Sequence, residues 1–352
     1  MMPTTILWQL TQKCDVNCAT CVIAAEGARR GIDELSTFES YKVLDQIASM
    51  APRRFVISGG DPLARRDLLQ LVDYACRRAL DPALSLSATH NLTREAIVVL
   101  RRAGVRRIQL PLNGSTAARH DAVYATPGSF EHTLAAMRWA CAAGAVLEIN
   151  TLVTHRTMHD LAAIAARMEQ FRVEAWNLYF IVPIAGSTSL EVITAEEAEA
   201  VFAEIARIGS MAHFAIRTVE APHYRRYLLQ QQRPAGELAS WSDFSGYTFR
   251  GDPLGASLDD VVFITSRGEV RPSEFLPISG GNVRYRSLPA IIRAGDVFVA
   301  LREQANLKGK CGCCEYLPLC GGSRARAWAA TGDLFASDPL CSHQPSAQKA
   351  TA

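Results

Sequence analysis

The chain has 352 residues, of which 49% are hydrophobic and 20% charged, and its formal net charge is +2. Such values are typical of a globular protein, and the length suits one barrel with a smaller appended domain. The near-neutral charge gives no reason to expect a nucleic-acid partner. No apolar run reaches the ~18 residues of a membrane span and no signal-like segment opens the chain, so we expect a cytoplasmic protein without a membrane partner. Its ten cysteines then favour metal ligation over disulfides.

Up to about residue 185, short apolar runs alternate with amphipathic helical stretches. Strands are predicted at 4–10, 54–58, 84–88, 107–112, 146–153 and 175–182. Helices are predicted at 36–50, 65–79, 93–103, 129–143, 159–171 and 194–208. Six such repeats predict an α/β fold with a parallel sheet, and a sheet of this kind with its chemistry on one side curls into a partial (β/α)6 TIM-type barrel.

Three cysteines follow the first predicted strand with the spacing C-x3-C-x2-C, and they are Cys14, Cys18 and Cys21. Thiolates this close suit an iron–sulfur cluster or zinc, but a closed zinc site needs a fourth ligand, and no further cysteine or histidine is near in sequence. A [4Fe-4S] cluster on three cysteines keeps one iron open, where a small molecule can bind and react. The three cysteines are therefore candidate catalytic and metal-ligating residues.

A second motif, Ser58-Gly59-Gly60-Asp61-Pro62, ends the second predicted strand. Paired glycines let the backbone approach a ligand closely, and an aspartate with turn carbonyls can accept hydrogen bonds from an ammonium group. An ordinary strand-ending turn would explain this motif if it stood alone. Together with the cysteine motif, however, it resembles the signature of the radical S-adenosylmethionine (SAM) enzymes.

The resemblance implies that the open iron chelates SAM and that an electron from the cluster cleaves SAM to a 5′-deoxyadenosyl radical. It implies an open (β/α)6 barrel with both motifs at the carboxyl ends of its strands. It also implies that Gly59, Gly60, Asp61 and Pro62 bind the SAM amino group, with Asp61 in place of the glutamate usual in the family.

Two asparagines are further candidates for SAM contacts. Asn150 lies inside the fifth predicted strand, where a polar residue needs a partner, and the resemblance implies a contact with the SAM ribose. Asn113 follows the fourth strand, where ordinary turn chemistry explains it as well. His120-Asp121, a little further on, has the chemistry of a helix cap as well as that of a ligand.

A second cysteine set has the spacing C-x2-C-x5-C-x20-C and consists of Cys311, Cys314, Cys320 and Cys341. Four soft ligands can close a cluster completely, so this centre should have no open iron, although a four-cysteine zinc site competes. The region resembles the auxiliary-cluster domain of SPASM/twitch radical SAM proteins, closest to the single-cluster enzymes of heme d1 synthesis and their relatives. Ser273 stands where full SPASM domains have a cysteine, which implies one auxiliary cluster.

The predicted organisation has four parts. A radical SAM partial barrel occupies 1–210, a connecting and substrate-facing segment 211–258, a SPASM/twitch-like iron–sulfur domain 259–345 and a flexible tail 346–352. The chain begins almost at the first strand, without the N-terminal domain that many peptide-maturing relatives use to hold a leader peptide. This weakens the prediction of a peptide substrate, although a separate partner could hold the leader.

The function implied is that of a radical SAM oxidoreductase with two [4Fe-4S] clusters and SAM, served by an electron donor such as flavodoxin or ferredoxin. The resemblance implies a heme d1-like tetrapyrrole side chain as the leading substrate. Cations and aromatics mixed over 217–250 suit such an anionic, partly planar molecule, although a solvated basic helix explains them equally well. A peptide or another small molecule is the alternative. A non-catalytic zinc-binding scaffold is an alternative of another class.

Overall fold

A computed structural model describes residues 5–16, 18, 33–183, 192–231 and 261–346. Its strands, in chain order, are β1 Thr5–Gln9, β2 Arg54–Ser58, β3 Pro82–Ser85, β4 Arg107–Pro111, β5 Val146–Val153, β6 Val173–Phe180, β7 Ala215–Val219, β8 Val261–Ile264, β9 Glu269–Arg271 and β10 Gly281–Asn282. They form one sheet in the order β10-β9-β8-β1-β2-β3-β4-β5-β6-β7.

The helices lie between and after these strands. They are α1 Thr37–Met50, α2 Leu68–Arg77, α3 Arg94–Arg102, α4 Ala117–Tyr124, α5 Ser129–Ala142, α6 Leu161–Met168, α7 Ala195–Met211, α8 His223–Gln231, α9 Leu288–Ala294, α10 Asp296–Arg302, α11 Gly309–Gly312 and α12 Arg324–Thr331. No helix within the described ranges is long and apolar enough to cross a bilayer.

The sheet is parallel from β8 through β7, and β9 and β10 extend it as antiparallel strands. Neighbouring strands are about 4.8 Å apart, so β2 and β5 would lie about 14 Å apart in a flat sheet. Arg54 of β2 nevertheless forms an ion pair with Glu148 of β5, and one cavity touches both Leu7 of β1 and Tyr179 of β6. The sheet is therefore curled around a lumen, which confirms the predicted partial barrel.

The outward face of the barrel carries the apolar core. Ile6 and Trp8 of β1 are fully buried there. Helix α1 covers this face, and its N-terminus is fixed by a capping box between Ser36 and Glu39, which satisfies two backbone donors. Its buried residues recur at helical spacing and are Ser40, Val43, Leu44, Ile47 and Met50. Each large aliphatic side chain buried in this way stabilises the fold by about 1.5–3 kcal/mol.

A buried charge network closes the amino end of the lumen. The Glu148 side chain has no exposed surface and is ion-paired with Arg54 and Arg217, while the Gln109 amide donates to it at 2.8 Å. Burial opposes the ionisation of Glu148, but the two guanidinium groups outweigh it and lower its pKa to about 2. Paired charges fill this end of the lumen, so the carboxyl end is the one where a ligand would bind.

The C-terminal region is attached at that carboxyl end by a buried arginine. Arg326 donates to both oxygens of Asp338 at 3.1 and 3.0 Å, and neither side chain is more than 1% exposed. The same guanidinium donates to the Glu220 carbonyl, just after β7, at 2.6 Å and to the Phe180 carbonyl at the end of β6 at 3.4 Å. One side chain therefore connects α12 with two strand ends of the barrel.

The six strands predicted from apolar runs are all present, although β3 and β6 each begin two residues before their predicted starts. Strand β7 lies in the stretch predicted as a connecting segment, and it pairs with β6. Strand β8 belongs to the stretch predicted as a separate domain, yet it pairs with β1. The barrel sheet thus continues beyond residue 210, and the domain boundaries themselves stay a prediction.

Candidate active site

The cysteine loop after β1 and the glycine motif after β2 are bonded to each other. Cys14 and Cys18 are half-buried in this loop, and Cys21 lies outside the described residues. The Gly60 amide donates to the Thr11 carbonyl at 2.8 Å, and the Asp61 amide donates to the Lys13 carbonyl at 2.7 Å. The two strand ends are therefore in contact, as predicted, within the described part of both motifs.

Both glycines of the motif are required by close backbone contacts. Gly59 has φ +143°, and a Cβ there would lie 2.5 Å from the Thr11 carbonyl oxygen. A Cβ on Gly60 would lie 2.7 Å from the Lys13 carbonyl carbon and 3.0 Å from the Cys14 Cβ. Any side chain at either position would push the cysteine loop away, so the glycines set where Cys14 sits.

Asp61 is fully buried and joins a third loop to the first two. Its Oδ1 accepts from the Leu63 amide at 3.0 Å, and its Oδ2 accepts from Thr89 Oγ1 at 2.7 Å and from Asn91 Nδ2 at 2.8 Å. His90, between these two donors, is ion-paired with Asp15 of the cysteine loop. A direct contact of Asp61 with an ammonium group stays a prediction, because internal donors already engage both oxygens. Pro62 opens the short 3-10 helix Pro62–Ala64 that Asp61 caps.

Both the oxygen and the nitrogen of the Asn113 side-chain amide form hydrogen bonds within the protein. Its Oδ1 accepts from the Leu152 amide at 2.7 Å, and its Nδ2 donates to the Tyr124 hydroxyl at 2.9 Å. Its backbone amide donates to His120 Nδ1 at 3.1 Å, and burial lowers the pKa of His120 to about 4, so the ring is neutral. Asn113 therefore ties the β4 end to β5 and α4.

The residue that follows His120 acts as a cap. The Asp121 carboxylate accepts from the Gly128 amide at 2.7 Å and from the Phe130 amide at 2.8 Å, at the N-terminus of α5. Tyr124 was not found from the sequence. Burial raises its pKa, and the charges of Cys18 and Cys14 raise it further, so its hydroxyl lies within electrostatic reach of these two thiols. Its position one turn after His120 on α4 was the only signal.

Asn150 is half-buried on the lumen face of β5. Its Oδ1 accepts from Asn177 Nδ2 at 2.8 Å, and its Nδ2 is 3.4 Å from Ser85 Oγ. The long second bond leaves the amide nitrogen available to a ligand. Of the two predicted asparagines, Asn150 is thus the one with donor capacity in the lumen.

The cations expected to face an anionic substrate are engaged inside the protein where they are described. Arg217 pairs with Glu148, and Arg226 pairs with Glu199. His223 is fully buried, and burial lowers its pKa to about 4. Tyr224 is buried against Phe202, and Trp241 and Phe244 lie outside the described residues. The described cations therefore give no support to an anionic substrate surface.

The four cysteines of the C-terminal set are free thiols, of which Cys311 is buried and the other three are half-buried. Burial raises the pKa of Cys314 to about 11, with repulsion from Cys341 and Cys311 among the further causes. Burial also raises the pKa of Cys320, and the same two thiols add to the shift. Such thiols ionise readily only beside a cation, and a bound metal supplies one.

Several donors point at these sulfurs. The Gly322 amide donates to Cys320 Sγ at 3.4 Å. Cys311 Sγ accepts from the Asp338 amide at 3.5 Å and from Arg324 Nη2 at 3.7 Å. Hydrogen bonds of this kind stabilise thiolate ligands and tune the metal centre that they hold. The donor set therefore fits a centre ligated by thiolates.

The spacing of the sulfurs bears on which metal centre fits. A tetrahedral zinc ion about 2.3 Å from each sulfur brings the sulfurs to about 3.8 Å from one another. Among the described residues, no three of the four sulfurs lie within 4.8 Å of one another, and Cys314 meets that limit only with Glu315 and His343. The described sulfurs are therefore not arranged as closely as a zinc ion requires. Cys313 is exposed and its thiol donates to the Gly309 carbonyl at 3.5 Å, apart from the set.

Comparisons with known proteins agree with this geometry. The family model of the Radical SAM superfamily matches residues 8–168. The chain is 32% identical over 343 residues to an AdoMet-dependent heme synthase of Methanosarcina barkeri, covering 97% of both chains. It is 28% identical to a PqqA peptide cyclase of Rhodopseudomonas palustris, over 98% of this chain and 88% of that one. The structure of Streptococcus suis SuiB bound to S-adenosylmethionine superposes with a TM-score of 0.76 at 13% identity, covering 97% of this chain and 78% of SuiB, which bears on the fold alone.

Proposed function

Because this chain belongs to the radical SAM superfamily, whose enzymes use a [4Fe-4S] cluster and SAM, we propose that it cleaves SAM reductively and removes a hydrogen atom from a carbon of its substrate. When bound, the cluster supplies the electron for this cleavage, and SAM supplies the 5′-deoxyadenosyl radical. Cys14, Cys18 and Cys21 are the proposed cluster ligands. The observation that carries the proposal is the contact between Gly60 and the cysteine loop. It places the glycine motif, which would bind the SAM amino group, beside the loop that carries the proposed cluster ligands.

The SAM contacts follow from the same loops. Gly59 and Gly60 present backbone groups beside Cys14, and Asp61 with Pro62 fixes the turn that holds them. Asn150 offers its amide nitrogen to the ribose. Asn113 acts on the site by holding Tyr124 in position beside the cysteine loop.

Replacing Asp61 with alanine is expected to weaken SAM binding by about 1.5–3 kcal/mol, the value of a charged hydrogen bond, with the cluster content unchanged. Asn91→Ala is the matched control, since it removes one donor to the same carboxylate and leaves its charge. A smaller loss in the control would support a direct contact with the ammonium group. An unaltered SAM dissociation constant in Asp61→Ala, measured by equilibrium dialysis, would mean that backbone carbonyls alone hold the amine.

We further propose that Cys311, Cys314, Cys320 and Cys341 hold an auxiliary [4Fe-4S] cluster for electron transfer. The amides and the guanidinium that donate to these sulfurs support it. An external donor such as flavodoxin or ferredoxin would reduce the SAM-binding centre, which is consistent with a cytoplasmic location.

The proposed substrate is a tetrapyrrole side chain. The relative named as a heme synthase supports it, because the similarity covers 97% of both chains. The peptide cyclase relative, at 28% identity, supports a peptide as the second candidate.

Replacing Cys341 with alanine tests the auxiliary centre. We expect about four fewer irons per chain, retained formation of 5′-deoxyadenosine from SAM, and no product from a carboxylated tetrapyrrole, because a fully ligated cluster cannot chelate SAM but is needed to complete turnover. Cys313→Ala is the control, since this exposed thiol lies apart from the set. Metal binding contributes folding free energy, so circular dichroism must show that the variant is folded. Full product yield from folded Cys341→Ala protein would make the second site structural and favour zinc.

A further inference from the structure

Arg324, the first residue of α12, is a buried cation held mainly by neutral groups. Its side chain lies in the interior, and the residue is 5% exposed. Its Nε donates to the Gly322 carbonyl at 3.3 Å, and its Nη1 donates to the carbonyls of Leu334 and Ala336 at 3.2 and 2.7 Å. No carboxylate is paired with this guanidinium in the described part of the chain. A positive charge removed from water destabilises the fold unless an anion compensates it.

The partner of Arg324 that can carry a negative charge is the sulfur of Cys311. Arg324 Nη2 lies 3.7 Å from Cys311 Sγ, and Cys311 is itself buried. Asp338, whose backbone amide donates to the same sulfur, is paired through its carboxylate with Arg326. A cysteine that ligates a metal centre is a thiolate. The guanidinium is therefore compensated when the auxiliary set holds its centre.

Gly322 leaves the space in which the guanidinium meets the sulfur. It has φ +69°, and a Cβ there would lie 2.6 Å from Arg324 Nη2 and 3.2 Å from Cys311 Sγ. Any side chain at this position would push the two groups apart. The local backbone is thus arranged for the contact between Arg324 and Cys311.

Two further cations lie near the auxiliary set, but they act on it less directly. Burial raises the pKa of Cys341, and the charges of Arg226 and Lys310 act in the opposite direction. Arg226 is paired with Glu199, which offsets its charge. The Lys310 ammonium donates to the backbone carbonyl of Cys341. Of these three cations, Arg324 is the one that donates to a ligand sulfur through its side chain.

We propose that Arg324 sets the reduction potential of the auxiliary centre and raises it, so that the centre accepts an electron during turnover. This inference rests on the proposed function. Reduction adds one electron, and so one negative charge, to an iron–sulfur centre, and a fixed cation beside a ligand sulfur stabilises the reduced form more than the oxidised form. Cys320 and Arg324 both line the cavity in the lumen. A substrate radical in this cavity would lose one electron and the adjoining centre would gain it. Arg324 acts through the sulfur and takes no part in bond making.

The test replaces Arg324 with glutamine, which removes the charge and keeps an amide donor. Reconstituted holoprotein is titrated with dithionite and followed by electron paramagnetic resonance. Loss of a charged hydrogen bond should make reduction of the auxiliary centre about 10–100-fold less favourable, a fall in potential of about 60–120 mV at about 59 mV per tenfold change. The potential of the SAM-binding centre is the internal reference, and it should stay unchanged together with 5′-deoxyadenosine formation. Arg324→Lys keeps the charge and should recover most of the lost potential.

Lys308→Gln is the matched control. It also removes one positive charge close to Cys311, but the Lys308 side chain is 64% exposed and pairs with Asp333, so solvent screens its charge. The auxiliary potential should therefore not change in this variant. An unchanged auxiliary potential in Arg324→Gln would overturn the inference, as would equal shifts in Arg324→Gln and Arg324→Lys, which would come from altered packing.

Iron content guards the interpretation. If Arg324→Gln does not retain its auxiliary iron, Arg324→Lys decides: a retained potential supports the inference, and a fall by the full predicted amount contradicts it. Loss of the auxiliary iron from both variants would give Arg324 a structural role and also contradict the inference. A single iron–sulfur signal in wild-type protein would overturn the proposed auxiliary cluster itself. Two signals with an auxiliary potential that does not depend on Arg324 would contradict this inference alone.

Discussion

Replacing Cys14, Cys18 and Cys21 together with alanine is expected to abolish 5′-deoxyadenosine formation and to remove about half of the bound iron, roughly four of about eight atoms per chain. Reductive cleavage needs the iron that three thiolates leave open, and the auxiliary set offers four ligands and no open position. Iron content and 5′-deoxyadenosine are measured on anaerobically reconstituted protein.

The matched control replaces three other cysteines. Cys76 and Cys141 lie on α2 and α5, and Cys313 is exposed beside the auxiliary set. The variant without these three should keep its full iron content and its SAM cleavage, because none of them belongs to either ligand set. Persistent 5′-deoxyadenosine production in the variant without Cys14, Cys18 and Cys21 would refute the ligand assignment.

The alternation of apolar runs and amphipathic helices predicted the first six strands. Each of these strands has a buried outward face, and the apolar residues of that face form the pattern that predicts it. Strand β7 was missed for a physical reason. Its central Arg217 points into the lumen and pairs with Glu148, so the sequence of this strand lacks the continuous apolar run that predicted the other strands. Strand β8 is only four residues long, and its pairing with β1 joins segments far apart in the sequence.

The candidate site was predictable where backbone geometry alone decides it. Cysteines and glycines that follow neighbouring parallel strands must meet at one edge of the sheet, and Gly60 does lie against Cys14. Side-chain partners were not predictable. The donors to Asp61 come from the loop after β3, and Asn113 is engaged by Leu152 of β5. The side chains of Asp61 and Asn113 can each contact a ligand or form a hydrogen bond within the protein, and the sequence alone does not distinguish the two.

The contact between Ser273 and Glu220 could not be predicted, because 220 follows a strand that was missed and 273 lies beyond the segment that separates the barrel from the C-terminal region. Only Ser273, in place of an expected cysteine, marked the position. In the fold its hydroxyl donates to Glu220, so the departure from the family pattern has a specific bond to explain it.

Arg326 makes several of the bonds that attach the C-terminal region to the strand ends of the barrel. Replacing Arg326 with alanine is expected to lower the free energy of unfolding by about 3–5 kcal/mol, because removal of one partner leaves the other charge buried and unpaired. Asp338 is that charge: burial opposes its ionisation, and Arg326 contributes most to holding its pKa low. Urea denaturation of the holoprotein measures the loss.

Arg207→Ala is the control, since Arg207 pairs with Glu204 on the exposed face of α7 and such pairs contribute about 1 kcal/mol or less. The pH dependence separates the charge effect from lost packing. Without Arg326 the pKa of the buried Asp338 rises above that of the unfolded chain, so the variant's extra instability should be largest at neutral pH and should shrink as the pH falls and Asp338 is protonated. A loss that is the same at every pH would come from the cavity left by the side chain. A loss no larger than that of Arg207→Ala would mean that other contacts attach the C-terminal region to the barrel.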